Sequence, residues 1–301
     1  MKIFMTGGTG FVGRTLSRRL TDIGHTITIL TRSKSKVTDT ELVRFVEGDP
    51  KTPGDWQRAV PGHDAVVNLA GTSVFAKWTP EYKQSLRDSR ILTTRHIVEA
   101  LPEDASAVTL ISTSGLGYFG FTGAEKLAED APPGDDFLAR LAQDWEAEAK
   151  KAETKGARVV MARFGVVFGR GGGALEQMTL PFKFFMGGPV GSGRQWVSWI
   201  HMEDLCNAIV FCLDNTEIHG PVNFSAPEPV TNKELSQTIG KVLSRPSFIP
   251  APAFMIKLVL GEFGSVILEG QRAIPKALLD HGFEFTYPDV ESALRDILTD
   301  S

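Results

Sequence analysis

Apolar positions come in short bursts along the first half of the chain. Ile3-Phe4-Met5 breaks at Thr6-Gly-Gly-Thr-Gly10, and Phe11, Val12, Leu16 and Leu20 then recur at helical spacing. The pattern predicts a buried strand, a glycine turn and a helix. It then repeats. Residues 25–31 (HTITILT) are β-branched and apolar and read as a second strand. Residues 42–47 make a third, and 64–70 a fourth that ends in Gly71. Thr79 and Pro80 supply the cap and first position of a helix. Another strand follows at 107–112. A helix is expected over 136–155, where Phe137, Leu141, Trp145 and Ala149 recur every four residues. Residues 158–164 give a further strand. Strands alternating with helices predict an α/β fold with a doubly wound parallel sheet.

The character changes near residue 170. Two glycine clusters, 169–173 and 187–193, read as loops. Thr231-Asn-Lys-Glu234 is a capping box opening a helix that runs to Leu243. Pro246, Pro250 and Pro252 mark an irregular stretch. A strand at 282–288 and a last helix at 290–298 close the chain. The division expected is a sheet domain over 1–170, to which parts of 195–225 return. A smaller α/β substrate-binding lobe spans 171–301, with 248–301 as its terminal segment.

Composition narrows the function classes. Hydrophobic residues make up 42% and charged residues 23%, as in ordinary globular proteins. The 32 basic and 36 acidic residues leave a net charge of −4, and there is no basic aromatic face. Nucleic acid is therefore not an expected partner. No apolar run approaches the roughly 18 residues of a membrane span, so no membrane partner is expected either. The first residues lack the basic region, apolar core and cleavage site of a signal peptide. Cys206 and Cys212 fit no zinc or redox spacing, and the six histidines are scattered, so no metal site is expected. The expectation is a cytoplasmic protein with buried, reduced thiols, a small-molecule substrate and room for a homodimer.

The glycine turn carries the chemistry. Gly8, Gly10 and Gly13 satisfy G-x-G-x-x-G, and Gly7, Gly10 and Gly13 satisfy G-x-x-G-x-x-G. Such a turn lets the backbone approach a pyrophosphate, and the helix behind it offers free N–H groups and a positive dipole end. Gly7, Thr9, Gly10, Phe11, Val12 and Gly13 are thus candidate cofactor contacts. The end of the second strand selects the nicotinamide cofactor. Here it reads Thr31-Arg-Ser-Lys-Ser-Lys36, with no acid and three cations. Arg32 therefore points to the 2′-phosphate of NADP. Asp49 is a candidate for the adenine. Leu69, Ala70 and Gly71 end a strand at the carboxyl edge, where ligands bind in such sheets.

Ordered motifs extend the reading. Thr6–Gly13, Asn68-Leu-Ala-Gly71, Ile111-Ser-Thr-Ser114, Arg163-Phe-Gly-Val-Val-Phe-Gly169 and Trp199-Ile-His-Met-Glu-Asp204 follow one another as in extended short-chain dehydrogenase/reductases. Ser89-Arg90, Trp145-Glu146, Gly188-Pro-Val-Gly-Ser-Gly-Arg-Gln-Trp196 and Gly282-Phe-Glu-Phe285 resemble an atypical branch. That branch is labelled epimerase-family or sugar-nucleotide epimerase-related, and it ends in a domain of unknown function. The resemblance implies a Rossmann domain that binds a nucleotide and a small α/β substrate domain.

The superfamily's catalytic tyrosine with a lysine four residues on is missing. Tyr82, Tyr118 and Tyr287 are followed at that spacing by Leu86, Thr122 and Glu291. Ser112, Thr113 and Ser114 end the strand where the superfamily has its serine. Ser114 is the catalytic candidate, against hydroxyls that only cap a strand end. Tyr118 is the candidate replacement acid, against a packing aromatic. Arg90 suits a phosphate or carboxylate, against a surface ion pair. Lys77, Trp78, Arg194 and Trp199 are substrate-binding candidates, with Arg194 set among glycines. Two functions follow: an NADP-dependent oxidoreductase or epimerase, and a non-catalytic NADP(H)-binding regulator or scaffold.

Overall fold

The structure, a computed structural model, describes residues 1–299. Its central sheet holds seven strands. In chain order they are β1 (Lys2–Thr6), β2 (Thr26–Thr31), β3 (Val43–Glu47), β4 (Ala65–Asn68), β5 (Thr109–Gly115), β6 (Arg158–Phe164) and β7 (Gly220–Phe224). All pair in parallel, in the spatial order 3-2-1-4-5-6-7. Ile3 stands beside Ile27 on one side and Ala65 on the other. The order reverses between β1 and β4, which opens a crevice at their carboxyl ends.

Alternate strand residues face opposite helical layers. Ile3, Met5, Ile29, Val67, Ile111, Val160 and Val222 lie under α1 (Phe11–Asp22) and α5 (Met202–Asp214). Phe4, Leu30, Val66, Leu110, Val159 and Met161 face α2 (Pro80–Ala100) and α3 (Phe137–Lys150). Both faces are covered, so the strands read as apolar runs rather than half-polar ones. Thr79 accepts the Tyr82 N–H at the start of α2, and Asp136 accepts the N–H groups of Leu138 and Ala139 at the start of α3. Helix α3 ends at Lys150, and a 3-10 turn, Lys151–Lys155, completes the longer helix expected there. Burial pushes the Cys206 and Cys212 thiols up to about 12.

The smaller lobe packs α4 (Gly173–Lys183), α6 (Asn232–Leu243) and α10 (Val290–Leu298) around Phe168, Leu175, Phe182, Trp199, Leu235, Ile239 and Leu294. Helices α7 (Ala253–Leu260), α8 (Glu262–Leu268) and α9 (Lys276–Asp280) complete the chain. The capping box at Thr231 and Glu234 forms as expected. Helix α4 was hidden by its flanking glycines and by Pro181 within it. The expected strand at 282–288 does not form. The Thr286 and Tyr287 N–H groups donate to the Asp204 carboxylate, so a side chain takes the place of a neighbouring strand. Among the described residues, no helix is long and apolar enough to cross a membrane.

Candidate functional site

A cleft of about 1180 Å³ opens at the carboxyl edge between β1, β2 and β4. Its floor is the glycine turn. Gly7 has φ of 71°, and the Gly10 N–H closes the turn on Gly7 O at 2.9 Å. A side chain at Gly7 would place its Cβ 2.7 Å from the Leu69 carbonyl carbon. At Gly13 it would lie 2.2 Å from Gly7 O. Helix and strand thus approach so closely that only hydrogen fits, and the α1 N-terminus faces the cleft. No side chain caps that terminus, which leaves its N–H groups for a ligand.

The walls mix apolar residues, Ile29, Val37, Val43 and Phe45 among them, with polar and basic ones. Gly7, Thr9, Gly10, Arg32, Asp49, Leu69, Ala70 and Gly71 line the cleft, with Arg14, Lys36, Thr72, Ser73, Ser89 and Thr93. Arg32 is exposed and has no carboxylate partner among the described residues. Asp49 accepts the Lys51 N–H at 3.0 Å and faces the Lys51 ammonium at 3.8 Å. Phe11 turns away, under the glycine-rich approach to α4, where a Cβ at Gly172 would meet its ring at 2.9 Å. Val12 is half-buried beside it.

A buried polar chain stands behind the cleft. Thr6 Oγ1 donates to Asn68 Oδ1 at 2.6 Å, and Asn68 Nδ2 donates to Thr94 Oγ1 at 3.0 Å and Ser112 Oγ at 3.4 Å. Trp145 Nε1 also donates to Thr94 Oγ1. Ala70 N–H donates to Thr6 Oγ1, which fixes the segment after β4. Thr6 and Thr94 escaped the sequence reading. Their signal was polar residues at fully buried positions of an apolar strand and a helix.

Arg90 stands on α2 at the edge of this chain. Its Nη1 donates to Leu86 O and Ser89 Oγ, and its guanidinium lies 5.2 Å from the Trp145 ring. A Cβ on Gly71 would sit 3.5 Å from its Cζ. The surface ion pair weighed for it does not form among the described residues. Burial without a counter-charge brings its guanidinium down to about 10.

Ser114 lies on a second buried network. Its hydroxyl donates to Glu146 Oε1 at 2.7 Å. Arg163 grips the same carboxylate through Nε at 2.8 Å and Nη2 at 2.9 Å, and also donates to Glu129 O. The Tyr118 ring lies flat on Arg163, 3.5 Å from Cζ. With its proton on Glu146, Ser114 polarises a substrate oxygen only by exchanging that bond. The Glu146–Arg163 pair was missed; its signal was an acid on the buried face of α3 and an arginine ending an apolar strand.

The substrate candidates scatter. Trp199 is fully buried, stacked on Phe168 and donating to Glu228 O, so it packs the smaller lobe instead of meeting a substrate. Trp78 also packs, edge-on to Phe137 and against Phe263, with Nε1 on Val74 O. Lys77 is exposed beside Gly261. Arg194 is exposed on a loop tied to α6 through Val190 and Asn232. None of the four lines the cleft.

Comparison with known proteins matches this architecture. Residues 3–224 match the NAD dependent epimerase/dehydratase family, and residues 251–297 match a domain of unknown function, DUF1731. An Arabidopsis thaliana protein, "Epimerase family protein SDR39U1 homolog, chloroplastic", is 43% identical over 99% of this chain and 87% of its own. "Epimerase family protein YfhF" of Bacillus subtilis is 41% identical over 100% of this chain and 99% of its own. The crystal structure of human epimerase family protein SDR39U1 with NADPH superposes with a TM-score of 0.86 at 33% identity, covering 99% of both chains. A Thermus thermophilus UDP-glucose 4-epimerase shares the fold, with a TM-score of 0.78 at 18% identity over 98% of this chain and 97% of its own. The chain belongs to the NAD dependent epimerase/dehydratase family, with relatives named epimerase family proteins, and carries a DUF1731 segment over residues 251–297.

Proposed function

We propose that the chain binds NADP(H) in this cleft and uses it as an oxidoreductase or epimerase on a small or nucleotide-linked substrate. The observation that carries the cofactor is the pairing of a side-chain-free backbone cradle with the uncompensated Arg32 in one cleft. The N–H groups at the start of α1 suit the pyrophosphate, and Arg32 with Lys36 suits the 2′-phosphate. Arg90 brings a further buried positive charge to the end of β4. The NADPH held by the human relative supports the same choice. Once bound, the nicotinamide supplies or accepts a hydride.

A proton must also move, and the usual tyrosine–lysine pair is missing. Tyr118, on the turn Leu116–Phe119 that leaves β5, is the replacement acid we favour. Its ring is fixed on Arg163, and its hydroxyl has no hydrogen-bond partner among the described residues. Glu146, which accepts the Ser114 hydroxyl, holds Arg163 in place beneath it.

A second reading rests on the hydroxyl of Ser114, which is already spent on Glu146. In that case the cleft reports NADP(H) to a partner without turnover. NADPH consumption over a panel of carbonyls and sugar nucleotides separates the two. The oxidoreductase reading expects turnover that falls by about 10²–10⁴-fold in Tyr118→Phe, with NADPH affinity kept. Tight NADPH binding with no turnover on any substrate selects the regulator. For the cofactor itself, Arg32→Ala is expected to weaken NADPH about tenfold or more and to leave NADH nearly unchanged. Equal loss for both would reject the 2′-phosphate assignment.

A further inference from the structure

A second surface, formed by the segment after α4 and by α7, is strongly apolar. Phe184, Phe185 and Met186 follow α4 and are each more than half exposed. Phe248 is 77% exposed. The Ile249 N–H donates to Gly187 O and the Ala251 N–H to Pro189 O, so these two segments run side by side. Helix α7 continues the second segment and buries none of its residues. Phe254, Met255, Leu258 and Val259 form an i, i+4 stripe on it, with Leu258 78% exposed. Exposed apolar groups gathered in this way mark an interaction surface.

The charges on the apolar segments themselves have one sign, and the nearest acid on α4 is Glu176, in its first turn. Residues 177–191 and 244–261 contain Lys183, Arg245 and Lys257 and not one aspartate or glutamate, in a chain whose net charge is −4. All three cations are exposed, and none forms an ion pair among the described residues. The Arg245 guanidinium lies over the Phe185 ring at 4.5 Å, which sets a cation directly on the apolar surface. Glu262, just beyond α7, is taken by Lys83. A second copy docked on the same patch would set cation against cation, because a two-fold contact pairs a surface with itself.

We propose that this face docks on a bilayer surface that carries anionic lipid. Apolar side chains flanked by unpaired cations, with no acid, are what partition into the headgroup boundary of such a surface. The earlier expectation of no membrane partner rested on the lack of a spanning segment, and a surface contact needs none.

Co-sedimentation of the full chain with vesicles tests this. Vesicles of phosphatidylcholine with phosphatidylglycerol are expected to bind it, and vesicles of phosphatidylcholine alone are not. Added salt should release it. Phe184→Ser with Phe185→Ser, and separately Leu258→Ser with Val259→Ser, should each cut binding about tenfold or more. Lys183→Glu with Arg245→Glu and Lys257→Glu should do the same. Unchanged NADPH affinity shows that the variants fold. Absence of binding to either vesicle, equal binding to both, or binding that survives these substitutions would overturn the proposal. So would a dimer in solution that the serine variants dissociate, because the face would then belong to a second copy.

Discussion

Arg90 shows how a single residue can be kept at a cost. Its charge is buried against Trp145 and Gly71 with two short-range acceptors and no carboxylate. Desolvation brings it down to about 10, below its value in the unfolded chain. The unfolded state therefore binds more protons above about pH 10, and the folded state carries the penalty at every lower pH. An anionic ligand beside the guanidinium would repay it. We expect Arg90→Met to leave the apo melting temperature equal or higher, while the NADPH dissociation constant rises about tenfold or more. Thermal denaturation and a binding titration check both halves. A clear loss of apo stability would make Arg90 a structural residue instead.

The elements β5, α3 and β6 are joined by Ser114, Glu146 and Arg163. Removing one partner leaves a buried charge uncompensated. Glu146→Gln should destabilise by about 3–5 kcal/mol, read by denaturant unfolding, and Glu146→Leu with Arg163→Met should recover a large part. A loss confined to activity would place Glu146 in the chemistry. The elements themselves were largely legible in the sequence. The strands at 158–164 and the helix at 290–298 have the expected bounds, because strand runs and helical spacing carry their own signal. The cleft's glycine turn and Arg32 were legible for the same reason, since they sit within a few residues of strand ends. Helices α7 and α8 were not, because α7 is apolar all round apart from Lys257 and α8 spans only about two turns. The Glu146–Arg163 pair was illegible because its partners are separated along the chain and meet only when α3 packs on the sheet. Trp199 misled because a conspicuous aromatic in a motif says nothing of which way it turns.

At the scale of the whole molecule, acid should loosen the fold. Burial holds His63 and His201 below the ordinary value of 6.5, and His25 is lowered in the same direction. His63 links Val60 O to Thr28 Oγ1, and His201 reaches the Asp296 carboxylate on α10. A depressed histidine is neutral when folded, so the unfolded chain takes up more protons as pH falls through 6.5. Stability is then present above that pH and is lost below it. The melting temperature should fall between about pH 7 and about pH 5.5, at about 2 °C per kcal/mol. His63→Gln should flatten the slope, and an unchanged slope would deny His63 a share in it.

The terminal segment bears on how this protein can be divided. Leu278 and Phe283 belong to the same buried cluster as the strands β1 and β7. Glu129 accepts N–H groups from both Asn223 in β7 and Ala277 in α9, and Asn223 Nδ2 donates to Ile274 O. Asp204 holds Thr286 and Tyr287. The border between the two sequence families near residue 250 is thus no border in the core. The segment packs with the sheet as one unit, and exchanging it for another would have to carry its partners at 129, 204 and 223. A chain that stops at residue 250 should lose cooperative unfolding altogether, rather than survive as a smaller nucleotide-binding module.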